Sequence, residues 1–240
     1  LAEVRTCLLE LQIPTALQTD LQSSMNKVGL PATSDWATAA RRIKQVWASK
    51  WNDRAYFSRQ ARGFPHEAVQ MAVLIQEVVE AEFAFVIHTV NPFSNNRKEV
   101  YAEVVLGLGE TLVGNYPGRA LSFVCPKDGG TPTVLAYPGK SVGLFGGGLI
   151  FRSDSNAEDL EGYAGAGLYD SVLLDEPREV ALDYTSQKLV WDAGYRTEVL
   201  RTIARIGEVV EQAFATPQDI EGAFSNGKFA IVQTRPQVGL

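Results

Sequence analysis

Cysteine is nearly absent from this 240-residue chain: Cys7 and Cys125 are the only two, and they lie far apart. That excludes a disulfide framework and a thiolate metal site, and it suits a reducing compartment. Histidine is as scarce, with His66 and His88 alone. His88 sits inside the apolar run Phe85-Val86-Ile87-His88-Thr89-Val90 and His66 follows Pro65. Neither has flanking glycines that present an imidazole for phosphorylation, and neither has a metal-ligand partner at suitable spacing, so both are expected to be structural. No apolar run is long enough to span a bilayer, and the start carries no basic, apolar, small-residue signal. Lys and Arg total 22 against 28 Asp and Glu, a net charge of −6 with no basic block. A duplex-wide phosphate contact is therefore excluded, and neither nucleic acid nor a membrane is an expected partner. The chain opens on Leu1 rather than Met, so a processed or partial polypeptide is expected.

What is present is enough apolar residue, 45%, for a sizeable core in one large or two small domains. Residues 1–30 read as two short helices interrupted near Pro14, the second closing at Gly29. Asp35 is placed to cap a long helix from about Trp36 to Arg59, with Ile43, Trp47, Trp51 and Ala55 on one stripe. From Val69 the pattern turns to β-branched and apolar runs: 69–79, 83–90, 100–106, 120–125, 133–137 and 149–152. A final helix from about Gly194 to Phe214 buries Val199, Ile203, Ile206, Val210 and Phe214. The expected fold is α+β, a mainly antiparallel sheet flanked by helices, with a helical lead-in over 1–60 and the main region over 61–240.

The last twenty residues carry most of the chemistry. Ser225-Asn226-Gly227 separates two strand-like segments, a strong hairpin signal. A three-residue turn with Gly227 left-handed sets Glu221 opposite Ile231 and Asp219 opposite Gln233, bringing Asp219, Glu221, Gln233 and Arg235 to one face. A two-residue turn splits them. Two carboxylates, an amide oxygen and a guanidinium suit a divalent cation held by hard oxygens beside a polyphosphate; the same face would also serve as an exposed edge. Three further segments draw notice. Arg152-Ser153-Asp154-Ser155-Asn156 leaves a strand and runs into Gly162, Gly165 and Gly167, a backbone able to wrap phosphate or simply to turn. Gln76, Glu77, Val78 and Val79 close a strand where a hinge between lobes reads adenine, and Gly109-Glu110 offers a close backbone approach with a carboxylate for ribose. Arg54 faces either phosphate or solvent.

Together with Ser49-Lys50-Trp51-Asn52-Asp53-Arg54-Ala55, Gly107-Leu108-Gly109-Glu110-Thr111-Leu112, Arg152 to Leu160 and Gln233-Thr234-Arg235-Pro236, these segments resemble the nucleotide-binding domain of the phosphoenolpyruvate synthase and pyruvate phosphate dikinase family. Tyr116 to Phe123 and Glu161 to Val172 are similar to its plastid branch, which phosphorylates starch-type α-glucan. The resemblance implies an ATP-grasp-like fold, incomplete on its N-terminal side, with Glu221 and Gln233 holding Mg2+. It implies Arg235, Arg152 and, more loosely, Arg54 on the phosphates, Glu110 at the ribose, and Gln76, Glu77, Val78 and Val79 at the adenine. The family reaction moves the β-phosphate of ATP to a histidine on a swivelling domain and thence to glucan, while the γ-phosphate goes to water. The histidine motif is absent here, and the family's lysine-bearing segment would precede Leu1. The expectation is an ATP·Mg-binding portion that meets glucan through other domains in the plastid stroma. A small-molecule dikinase, an antibiotic phosphotransferase or a non-catalytic interaction domain are the alternatives.

Overall fold

A computed structural model describes residues 1–237 except 32, 34, 115, 161–162 and 165–166. The chain forms two compact units, Leu1–Val78 with Gly147–Glu176, and Val79–Gly146 with Pro177–Leu240. Chain crossings therefore fall at Val78/Val79, within the glycine triplet 146–148, and at Glu176/Pro177.

The first unit holds helices α1 (Ala2–Glu10), α2 (Thr15–Lys27), α3 (Trp36–Ser49) and α4 (Asp53–Ala61). Its antiparallel sheet has the order β1 (Met71–Glu77), β7 (Leu149–Ser155), β10 (Val172–Leu173), with a separate two-residue pair β8 (Asp159–Leu160) and β9 (Tyr163–Ala164). Asp35 caps α3: its carboxylate accepts from the Thr38 N–H at 2.9 Å and the Thr38 hydroxyl at 2.6 Å, and these bonds hold its carboxyl below the usual range. Ile43 and Val46 of α3 pack with Met25 against Leu149, Phe151, Val73 and Ile75 on one face of the sheet. The single helix expected from Trp36 to Arg59 is two. Buried Arg59 donates from Nη2 to the Lys50 carbonyl at 2.6 Å, an oxygen that a continuous helix would use internally, and Asn52 Nδ2 is drawn to both Asp170 oxygens at 3.0 Å. Asn52 turns extended, and Ala55 joins a different cluster with Val69, Ala157 and Tyr169. Propensity favoured continuity; tertiary hydrogen bonds broke it.

The second unit is built on a six-stranded antiparallel sheet. Its order is β13 (Lys228–Pro236), β12 (Gln218–Ser225), β2 (Phe83–His88), β3 (Glu99–Leu106), β4 (Leu121–Pro126), β5 (Thr133–Ala136). Helix α7 (Ala193–Phe214) covers one face, packing Val199, Leu200, Ile203 and Val210 on Phe85, Ile87, Ala102, Val104, Phe123 and Ile220. Phe214, expected in the core, is 57% exposed and is the last residue of α7, which ends where Ala215 turns left-handed. Short helices α5 (Glu110–Val113) and α6 (Lys188–Trp191) and a two-stranded ribbon, β6 (Val142–Phe145) with β11 (Arg178–Ala181), complete it. The ribbon escaped the sequence reading because four-residue strands with glycine at Gly143 carry little periodic signal. Among the described residues no helix is long and apolar enough to cross a membrane.

Candidate nucleotide and metal site

The terminal hairpin turns on two residues, not three. Asn226 and Gly227 are both left-handed, at φ 50° and 76°, and Ser225 faces Lys228. Asn at the first position and Gly at the second is what the right-handed twist of the strands selects for such a turn. Continued regularly, this register would set Val232 and Thr234 opposite the carboxylates. A β-bulge between Glu221 and Gly222 prevents that: one extra residue on β13 sets Glu221 opposite Gln233 and Asp219 opposite Arg235. The four residues do share a face, through different pairings from those expected.

That face is the one α7 leaves uncovered. Side chains alternate along each strand, so residues in register share a face. Two rows cross the sheet. One runs Arg235, Asp219, His88, Tyr101, Val124; the other runs Gln233, Glu221, Val86, Glu103, Ser122. His88, Tyr101 and Glu103 were not recognised as part of the site. A period-two reading of β2 and β3 would have grouped them, since Val86/His88 and Tyr101/Glu103 alternate with buried apolar neighbours. His88 Nδ1 lies 2.6 Å from Asp219 Oδ1, while Arg235 Nε lies 3.9 Å from Asp219 Oδ2. Toward the other end of the same face, Ala84, Val105 and Ala120 are buried with Leu112 of α5 against them. Glu110 is the first residue of α5 and is half-buried.

Tyr101 donates its hydroxyl to Glu103 at 2.7 Å. Burial, then the bond and the charge of Glu103, push its phenol well above the ordinary value near 10. The neutral phenol is favoured in the fold, so its stabilising contribution is complete below pH ~10 and is lost as pH rises from there toward the raised folded value. Tyr101→Phe is therefore expected to flatten the alkaline fall in urea-unfolding stability. An unchanged slope above pH 10 would show that Tyr101 does not set it.

The first unit carries the other candidates. Gln76 lies opposite Ile150 and Arg152 opposite Leu74, on the sheet face away from α3. Glu77 ends β1, and the Val78 N–H donates to the Gly148 carbonyl at 2.9 Å; Val79 begins the second unit. Strand β7 runs on past Arg152 to Ser155, beyond the expected end. There Ser155 Oγ and Glu158 Oε1 accept from Ala157 and Ser155 N–H groups, which closes a tight turn. Arg54 is engaged internally, donating to Asp170 Oδ1 at 2.7 Å and to the Leu168 carbonyl at 3.0 Å. Gly162 and Gly165 lie outside the described residues, while Gly167 is left-handed at φ 73°. His66 stacks on Tyr56 at 4.4 Å and accepts from Arg59 Nε at 3.2 Å, a structural role.

A cavity of about 510 Å³ in the second unit, between the Cys125–Gly130 turn and α7, holds none of the candidate residues. Among the described residues no three His, Cys, Asp or Glu side chains converge as a metal cage. The Glu221–Gln233 pair instead fits a hard cation that takes one carboxylate from the protein and most remaining ligands from phosphate and water, as Mg2+ does.

Residues 22–117 match the family described as pyruvate phosphate dikinase, AMP/ATP-binding domain. The chain is 54% identical to alpha-glucan water dikinase of Solanum tuberosum over 99% of its own length and 17% of that protein's. The corresponding figures for alpha-glucan water dikinase 1 of Arabidopsis thaliana are 54%, 99% and 18%. Phosphoenolpyruvate synthase of Pyrococcus furiosus is 27% identical over 81% of this chain and 21% of its own. The chain spans about a fifth of the length of these relatives. Nearly the whole chain is thus similar to one part of these dikinases, and residues 22–117 within it match the AMP/ATP-binding domain.

Proposed function

We propose that this chain binds ATP with Mg2+ in a dikinase that phosphorylates starch-type α-glucan in the plastid, giving AMP, phosphoglucan and phosphate. The observation that carries the reading is the pair of cross-strand contacts on the face away from α7, Glu221 with Gln233 and Asp219 with Arg235. Glu221 and Gln233 hold the metal. Bound there, Mg2+ neutralises polyphosphate charge. Arg235 adds a planar fork to the phosphates, Glu110 takes the ribose hydroxyls, and Arg152, Arg54 and Gln76 to Val79 serve the nucleotide. Lysine would not replace Arg235 or Arg152, because an ammonium lacks the fork. The substrate assignment is supported by the names of the two plant relatives, both chloroplastic.

The test is thermal unfolding with and without ATP·Mg. At ligand 100 times the dissociation constant the gain is about 2.7 kcal/mol; no gain at millimolar ATP would remove the reading. With β-labelled ATP, this chain alone is expected to gain no acid-labile phosphate, since neither histidine is presented for transfer. Labelling of His88 that disappears in His88→Ala would overturn that expectation.

A further inference from the structure

The sequence made His88 structural, yet its ring lies on the face that carries Glu221 and Arg235. Asp219 on β12 is the register partner of both His88 on β2 and Arg235 on β13. A directly opposed Asp and Arg ordinarily close into a bidentate pair with N–O distances of ~2.7–2.9 Å. Here the guanidinium stops at 3.9 Å from Oδ2, beyond hydrogen-bonding range, while the imidazole takes Oδ1 at 2.6 Å. A carboxylate only accepts, so Nδ1 carries the proton in this bond. Both side chains are mostly covered, His88 at 28% and Asp219 at 16% exposure, where competition between donors for one carboxylate is strengthened by the lower local dielectric.

We propose that His88 is a positioning residue: it draws the Asp219 carboxylate toward β2 and so keeps the Arg235 fork open for phosphate. This rests on the ATP reading above. Without the imidazole, Oδ1 loses its donor, and the carboxylate turns to Arg235 and occupies the N–H groups that phosphate needs. The bland alternative, a histidine that merely braces two strands, makes different predictions.

Calorimetry of ATP in EDTA isolates the arginine contact from the metal. His88→Ala is expected to weaken ATP about tenfold, the scale of one charge-assisted hydrogen bond, with adenosine affinity unchanged. His88→Asn, which puts an amide N–H where Nδ1 stands, recovers most of the loss. The double substitution His88→Ala with Asp219→Asn also recovers it, because the amide no longer neutralises the guanidinium. An Asn variant as weak as the Ala variant, or a double variant that stays weak, overturns the proposal. A second measurement needs no nucleotide: the coupling between Asp219→Asn and Arg235→Met in urea unfolding, measured with His88 present and with His88→Ala. Coupling is expected to rise when the imidazole is removed, and coupling that does not rise overturns the proposal. If the unsubstituted chain binds no ATP, the function proposed above fails while this cycle still decides the role of His88.

Discussion

Glu221→Ala is expected to lower ATP affinity about 100-fold in Mg2+, roughly 2.8 kcal/mol at 1.4 kcal/mol per decade, and to leave affinity in EDTA nearly unchanged. The asymmetry follows from the pair on the sheet. On the proposed reading Glu221 supplies the negative charge and Gln233, directly opposite, a neutral oxygen. Mg2+ is usually anchored by one or two carboxylates, the rest of its octahedron coming from phosphate and water, so losing the anion removes most of the protein's hold. Glu221→Gln keeps the shape and one oxygen, and is expected to lose nearly as much as Ala. Calorimetry in both buffers decides the matter. An equal loss with and without Mg2+ would mean that Glu221 serves folding or phosphate contact and not the metal.

Gly107→Ala is expected to destabilise the second unit by more than about 3 kcal/mol, the sum of a left-handed alanine and an overpacked contact. Gly107 sits at φ 80°, and an added Cβ would lie 2.1 Å from the Leu144 carbonyl oxygen. That oxygen is not free to move, because it accepts the Leu108 N–H at 2.8 Å, and the Gly107 N–H is itself committed to the Glu82 carbonyl. Two residues on, Gly109 has φ −60° and open room, its nearest neighbour being the Ala84 Cβ at 3.9 Å. Gly109→Ala is therefore expected to be neutral, or to gain ~0.4–1 kcal/mol by restricting the unfolded chain. Urea denaturation of the two variants separates them. A Gly109→Ala protein that folds well but loses ATP would return Gly109 to the close-approach role that the sequence suggested.

Much of this protein was legible in its sequence because it is local. Asp35 caps its helix through a residue three positions away, Pro14 parts two helices, and Asn226-Gly227 turns a hairpin: each outcome is decided by dihedral preference and a neighbouring N–H. The β-branched and apolar runs likewise located β2, β3 and β4. Tertiary structure decided what local preference leaves open. The break after Ser49 exists because Arg59 and Asp170 reach in from elsewhere in the unit, and no helix propensity encodes that. The site depended on one residue of register. A two-residue turn alone would have set Val232 and Thr234 against the carboxylates; the bulge at Glu221/Gly222 brought Gln233 and Arg235 there instead. A bulge costs the ladder a residue, while on the other face of the sheet Phe85, Ile87 and Ile220 pack under α7. The sequence by itself therefore determined the hairpin and the candidate residues Asp219, Glu221, Gln233 and Arg235 that it carries. Only the packed sheet decided which of them stand opposite one another, and that His88 stands among them.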